Sequence, residues 1–181
     1  MRWMRTRLNQ EEGFTLIELM VVVLIIAVLV AIAVPSFLGF RNRAQDRAAQ
    51  ADIRNVLVAE KAYWTDFGDY AAGVADIDNG GVSQSAEAWL KTYEPSIEIK
   101  VTDTAADVVA TDPVFVAYGG TNDVICIVSA SDSGNSYAIV EDASATGGTY
   151  YGAFAGVATC YADAATAGAN GYVTNGFPPV P

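Results

Sequence analysis

The stretch EEGFTLIELMVVVLIIAVLVAIAVPSF, Glu11 to Phe37, places a single carboxylate, Glu18, inside a run that is otherwise apolar. From Leu19 to Phe40 the chain carries no charge, and those 22 residues would form a helix of about 33 Å, enough to cross a hydrocarbon core of about 30 Å. An ionisable group in such a segment is expensive and marks a functional position by default. Charge does not orient the segment. Arg2, Arg5 and Arg7 precede it as closely as Arg41, Arg43 and Arg47 follow it.

Beyond Phe40 the helix is expected to continue with a different character. Arg41 to Tyr63 contains no Gly or Pro and is rich in good helix formers. Ala44, Ala48, Ala51, Val58 and Ala62 fall near one face, with Ile53, Leu57 and Trp64 beside them, as a stripe that packs on a sheet. Asp66-Phe67-Gly68-Asp69-Tyr70 supplies the stop, with Gly68 free to take the left-handed conformation. Residues 71–95 read as a long connection with a turn at Asn79-Gly80-Gly81 and a short helix from Glu87 to Tyr93. Strand signals follow at Ser96–Val101, Val114–Tyr118, Val124–Ala130 and Tyr137–Glu141. Turn residues separate the last three, which predicts an antiparallel meander. From Ala143 onward the chain shows little periodicity.

Composition removes several classes of function. With 10 basic and 21 acidic residues the formal charge is −11, a balance that repels phosphate backbones and argues against direct nucleic-acid binding. The absence of His removes the commonest general base and neutral metal ligand, so no Ser-His, Cys-His or zinc arrangement is available and an enzyme is not expected. No cofactor is implied. In an exported domain the two cysteines, Cys126 and Cys160, would form one disulfide; in a cytosolic domain they would be unrelated buried thiols. A bridge would tie the glycine-rich tail to a central strand, with a chain-entropy contribution of about 4 kcal/mol. Asp76-Ile77-Asp78-Asn79-Gly80-Gly81 with Glu87 matches part of an EF-hand loop, but Gly80 offers no side-chain ligand at the fifth position. That leaves Asp76, Asp78 and Glu87 as a weak calcium loop beside the reading of a solvated acidic turn.

Taken together, Gly13-Phe14-Thr15-Leu16-Ile17-Glu18-Leu19 resembles the processing site of type IV pilins and the related type II secretion pseudopilins. The short charged leader, the apolar run interrupted by Pro35, and Tyr63 with Gly68-Asp69-Tyr70 at the end of the long helix extend the resemblance over about the first 70 residues. It implies cleavage between Gly13 and Phe14 by a membrane-embedded prepilin peptidase, followed by N-methylation of Phe14. Glu11 and Glu12 stand where basic residues often precede that glycine, while Arg2, Arg5 and Arg7 still suit an anionic cytoplasmic face. The resemblance also gives Glu18 a task. One helical turn from the new Phe14 amine, it would pair with the amine of a neighbouring subunit and so set the register of a filament. Pro35 and Gly39 would weaken the helix locally.

The fold expected is α+β, a pilin lollipop: a leader at 1–13, a transmembrane and assembly helix at 14–40, and an amphipathic helix at 41–66. A connecting loop at 67–95 leads to a four-stranded antiparallel sheet with a Cys126–Cys160-stapled C-terminal region at 96–181. The function implied is a structural subunit of a type IV pilus, a homopolymer that passes from the cytoplasmic membrane through an inner-membrane assembly platform to the cell surface. Adhesion, twitching motility, DNA uptake and secretion all use similar subunits. A major pseudopilin or minor pilin is the alternative within the family. A conventionally secreted domain cleaved after Ala33, within Ala31-Ile32-Ala33, is the distant one.

Overall fold

The computed structural model describes residues 13–68, 70–71, 76–79, 82–102, 114–118, 123–145, 147–158, 160 and 164–180. The chain divides into two compact units, residues 1–41 and 42–181. Helix α1, Leu16–Phe67, is 52 residues long and holds Pro35 in its interior. Its backbone stays helical through the proline, and the Ser36 hydroxyl donates to the Ile32 carbonyl at 3.4 Å, one turn back. The helix ends at Gly68, whose φ of +81° is the left-handed conformation that only glycine adopts without strain, while its N–H donates to the Trp64 carbonyl at 2.8 Å.

Residues Ala49, Gln50, Ile53, Val56, Leu57, Ala59, Glu60 and Tyr63 form the buried face of α1. This corrects the alanine stripe expected above: Ala44, Ala48 and Ala51 are exposed, and Val58 is 67% exposed. Alanines run around the whole helix and give little contrast between faces. The larger Ile53, Val56, Leu57 and Tyr63 bury more area per residue and decide the orientation.

After α1 comes an antiparallel pair, β1 (Asp76–Asn79) with β2 (Val82–Ser85), where the sequence suggested only a turn. Helix α2 (Ala86–Tyr93) follows, capped by the Ser85 hydroxyl, which accepts from the Ala88 N–H at 3.3 Å. The main sheet has five strands in chain order: β3 (Ile99–Thr102), β4 (Val114–Tyr118), β5 (Val124–Ala130), β6 (Asn135–Asp142) and β7 (Gly148–Ala155). From β4 to β7 it is an antiparallel meander, as the turn residues predict for β4, β5 and β6. Two features correct the four-stranded antiparallel sheet. β3 runs parallel to β4, which the 11 intervening residues permit because a parallel pair needs a crossover rather than a tight turn. β7 was hidden in the Gly- and Ala-rich region, where Thr149, Tyr150, Tyr151 and Phe154 supply the β-propensity.

Both faces of the sheet are covered. Ile99, Val114, Val116, Ile125, Ile127, Tyr137 and Ile139 meet Ile53, Val56, Leu57 and Tyr63 of α1 in one core. On the other face Cys126, Val128, Ala138 and Val140 pack with Ala158, Cys160, Ala167 of α3 (Ala164–Ala169) and Tyr172. Burial on both sides explains why β5 reads as a continuous apolar run rather than an alternating one. The C-terminal segment passes the edge of β7, where Tyr151 and Val173 exchange backbone hydrogen bonds of 2.7 and 2.9 Å. It then returns to the helix side, with the Phe177 ring edge-on to Tyr137 and Tyr151.

Candidate assembly site

Phe14 just before α1, and Leu16, Ile17, Leu19, Met20 and the valines, leucines and isoleucines that follow in its apolar part, are exposed, so among the described residues nothing covers this surface. Among the described residues α1 is long and apolar enough to cross a membrane. At its start, Thr15 and Glu18 satisfy each other. The Thr15 N–H and hydroxyl donate to Glu18 Oε2 at 2.9 and 2.6 Å, and the Glu18 N–H donates back to Thr15 Oγ1 at 3.3 Å. This is a capping box, which pairs backbone donors that the first helical turn leaves without intrahelical partners. It folds the Glu18 carboxylate back to the same end of the helix as Phe14. Thr15 was not singled out above, although Thr-x-x-Glu directly before an apolar run is the signal that finds it.

Among the other residues singled out above, Gly13 and Phe14 precede the helix, and Pro35 and Gly39 lie within it. A Cβ added at Gly13 or Gly39 would meet nothing within 4 Å. The leader residues before Gly13, including Arg2, Arg5, Arg7, Glu11 and Glu12, lie outside the described residues, as does Asp69 of the helix stop. So do Gly80 and Gly81 of the calcium loop and the side chains of Asp76 and Asp78, whose backbone is a strand of the β1–β2 hairpin. Glu87 sits in the first turn of α2, 3.8 Å from Lys91. Among the described residues no group of three or more carboxylates or thiols converges on a point.

In the second unit Cys126 on β5 is bonded to Cys160, with Cα atoms 5.7 Å apart, on the sheet face away from α1. A second carboxylate gave no sign of itself in the sequence. Glu60 is fully buried on the sheet-facing side of α1, its Oε2 accepting the Ala71 N–H at 2.9 Å, and burial pushes its carboxyl up to about 8. It therefore clasps the chain just after the helix stop. No periodicity announces a buried acid, since Glu is an ordinary residue of solvated helix faces.

An apolar helix of membrane-spanning length that opens on a capped Thr-x-x-Glu leads in chain order to a helix-on-sheet α+β unit. Residues 8–34 match the model of the prokaryotic N-terminal methylation motif. The chain is similar to the type IV major pilin protein PilA of Myxococcus xanthus, 39% identical over 62 residues, covering 34% of this chain and 28% of that one. It is similar to the type IV wide pilus major component PilA4 of Thermus thermophilus, 32% identical over 78 residues, covering 43% of this chain and 60% of that one. It is also similar to type II secretion system core protein G of Pseudomonas aeruginosa, 40% identical over 58 residues, covering 32% and 41% respectively. The matched region spans less than two thirds of each of these relatives, and no solved structure matches the chain. The motif and these relatives support the type IV pilin and pseudopilin family for this chain.

Proposed function

We propose that this chain is the structural subunit of a type IV pilus, made as a prepilin and polymerised through its N-terminal helix. The observation that carries the reading is the carboxylate of Glu18, held by the Thr15 N–H and hydroxyl at the start of an exposed apolar helix within the methylation motif. In this reading residues 1–13 are a leader that prepilin peptidase removes, and Phe14 becomes the methylated amino terminus. Residues 14–40 anchor the subunit in the cytoplasmic membrane, 41–66 carry the head, 67–95 connect, and 96–181 form the sheet and its Cys126–Cys160-stapled tail. On assembly the apolar helices leave lipid for a bundle of their own kind. Their surface stays out of water in both states, so the net transfer cost is small. A subunit docked out of step would leave the Glu18 carboxylate and a neighbour's amine unpaired in an apolar bundle, which makes the pair a register device. The role is structural rather than catalytic, and Pro35 and Gly39 mark where the helix yields under load.

The similarity to core protein G keeps a major pseudopilin as the second reading, since that helix machinery is shared.

The test separates capping from charge pairing. Glu18→Gln keeps an acceptor for the capping box and removes the charge, whereas Glu18→Ala removes both. Both variants are expected to be cleaved to a chain starting at N-methylated Phe14, and both to lose filaments from the sheared extracellular fraction. Wild-type filament levels in Glu18→Gln would refute the pairing and reduce Glu18 to a cap. A mature chain starting at Val34 would overturn the pilin reading itself.

A further inference from the structure

Three Asn-Gly pairs occur in the chain: Asn79-Gly80, Asn170-Gly171 and Asn175-Gly176. This dipeptide carries chemistry of its own. The backbone nitrogen of the glycine can attack the Asn side-chain carbonyl carbon, because no Cβ stands in the way and the glycine backbone turns freely. In a folded chain the reaction depends on whether that N–H is engaged and whether the backbone around it is held. Asn79 lies on β1, with its side chain and Gly80 outside the described residues. The other two pairs stand in opposite situations.

Asn170-Gly171 closes the end of α3. The Asn170 and Tyr172 N–H groups donate to the Ala167 carbonyl at 3.1 and 3.2 Å, and the Gly171 N–H donates to the Gly168 carbonyl at 3.4 Å. The attacking nitrogen is therefore engaged, and the residues on both sides of it are fixed to the preceding turn. Asn175-Gly176 is open. The chain is anchored before it by Val173, which exchanges backbone hydrogen bonds with Tyr151, and after it by Phe177, whose ring meets Tyr137 and Tyr151 edge-on. Between these anchors the backbone bends at 174–176. Among the described residues the Gly176 N–H and the Asn175 side-chain amide have no hydrogen-bond partner. Asn175 is exposed, so water and hydroxide reach it, and a Cβ built on Gly176 meets nothing within 4 Å, which leaves room for a ring to close.

We infer that Asn175-Gly176 is a site of spontaneous modification, where the asparagine becomes aspartate or isoaspartate with water as the co-reactant. Hydroxide removes the Gly176 amide proton, the nitrogen lone pair forms a bond to Asn175 Cγ, and the side-chain nitrogen leaves as ammonia. The product of that step is a cyclic succinimide. Water then opens the ring. Attack at Cγ breaks the new bond and leaves aspartate, whereas attack at the Asn175 backbone carbonyl leaves isoaspartate, with the main chain running through Cγ. Neither step needs an oxidant or a reductant.

Both products place a new carboxylate at a groove of about 740 Å³ that Asn175 lines together with Arg43, Arg47 and Arg54 of α1 and with Tyr137 and Phe177. Arg47 Nη1 donates to Gln50 Oε1 at 3.3 Å, and Arg54 lies over the Phe177 ring, 4.9 Å from its centroid. Neither of these two guanidinium groups has a carboxylate partner among the described residues. Asp46 also borders the groove, with its carboxylate accepting from the Ser133 hydroxyl and the Asn135 amide. The added charge thus enters an acidic chain at a place where arginines offset it. The inference holds whether or not the chain polymerises.

The test uses the full chain, purified in detergent and held at mildly alkaline pH and physiological temperature, beside a sample unfolded in denaturant with its disulfide reduced. Chymotrypsin cuts after Tyr70, Tyr161 and Tyr172, so Asn79, Asn170 and Asn175 fall on separate peptides. Chromatography with mass spectrometry then follows the Asn, Asp and isoaspartyl forms of each peptide over time. In the unfolded sample Asn170 and Asn175 are expected to convert at similar rates. In the folded chain Asn175 is expected to stay within a few-fold of its unfolded rate, while Asn170 slows about tenfold or more, since the end of α3 must open before it reacts. A folded chain in which Asn175 converts no faster than Asn170, or stays unconverted while the unfolded sample reacts, would overturn the inference. Asn175→Asp, which supplies the aspartyl product directly, is expected to melt no lower than wild type; a melting temperature lowered by several degrees would overturn the placing of the new charge among the arginines.

Discussion

Replacing Glu60 by glutamine is expected to make the protein relatively more stable as pH rises, and the magnitude follows from the buried carboxyl. Desolvation, only partly offset by the Ala71 N–H, raises Glu60 from 4.5 to about 8 in the folded chain. Between those values the folded state holds a proton that the unfolded state releases, so stability falls with pH by about 1.4 kcal/mol per unit. The loss begins near the unfolded value and levels off once pH passes the folded one. From pH 5 to pH 7 it amounts to about 2.5 kcal/mol. Tyr70 stays neutral across this range, since burial, Glu141 and Glu60 all push its hydroxyl up. The amide introduced by Glu60→Gln has no proton to lose and accepts the Ala71 N–H through its own carbonyl oxygen, so the pH-dependent contribution disappears. Thermal unfolding of the detergent-solubilised full chain, followed by tryptophan fluorescence, reads this directly through Trp64, one turn along the helix. The gap in melting temperature between Glu60→Gln and wild type is expected to widen by roughly 5–10 °C from pH 5 to pH 7. Parallel pH curves for the two proteins would refute the argument that Glu60 is protonated in the fold.

Three further outcomes are expected. Replacing Cys126 and Cys160 by Ser removes a cross-link between residues 34 apart in sequence and should cost about 4 kcal/mol by the chain-entropy model, measured by denaturant unfolding against the oxidised wild type. Gly152→Ala should destabilise by about 1–3 kcal/mol, because the added Cβ would come within 2.7 Å of the Phe154 ring and 2.8 Å of the Tyr172 ring; an unchanged melting temperature would mean both rings yield freely. Gly13→Leu should block processing, so that the intact mass retains residues 1–13; a normal mature mass would remove Gly13 from the cleavage site.

Residues governed by local rules could be read from the sequence. The apolar run announced α1, the good helix formers of 41–63 extended it, and Gly68 ended it, because helix propensity and termination are decided within a turn or two of chain. The meander of β4, β5 and β6 followed from turn residues for the same reason, whereas β7 was missed among its glycines and alanines. Glu18 was conspicuous because a charge stands out in an apolar run. Its partner Thr15 was legible by the same local logic and was overshadowed by the charge.

What depended on distant segments was not legible. Which face of α1 is buried was decided by the bulk of Ile53, Val56, Leu57 and Tyr63 against the sheet, not by the alanine spacing. The parallel placement of β3 beside β4 was decided by a crossover whose direction no local signal encodes. Glu60 became a buried acid only because the chain after Gly68 folds back over it and offers the Ala71 N–H. The gathering of Arg43, Arg47 and Arg54 into a groove with Phe177 required a C-terminal segment more than 120 residues away to pass the edge of β7. By itself the sequence determined the helix, its membrane-length apolar stretch and the motif at its start, since these depend on the order of neighbouring residues. The tertiary structure alone decided which side chains meet across the sheet, because burial and charge pairing depend on contacts that only the folded chain makes.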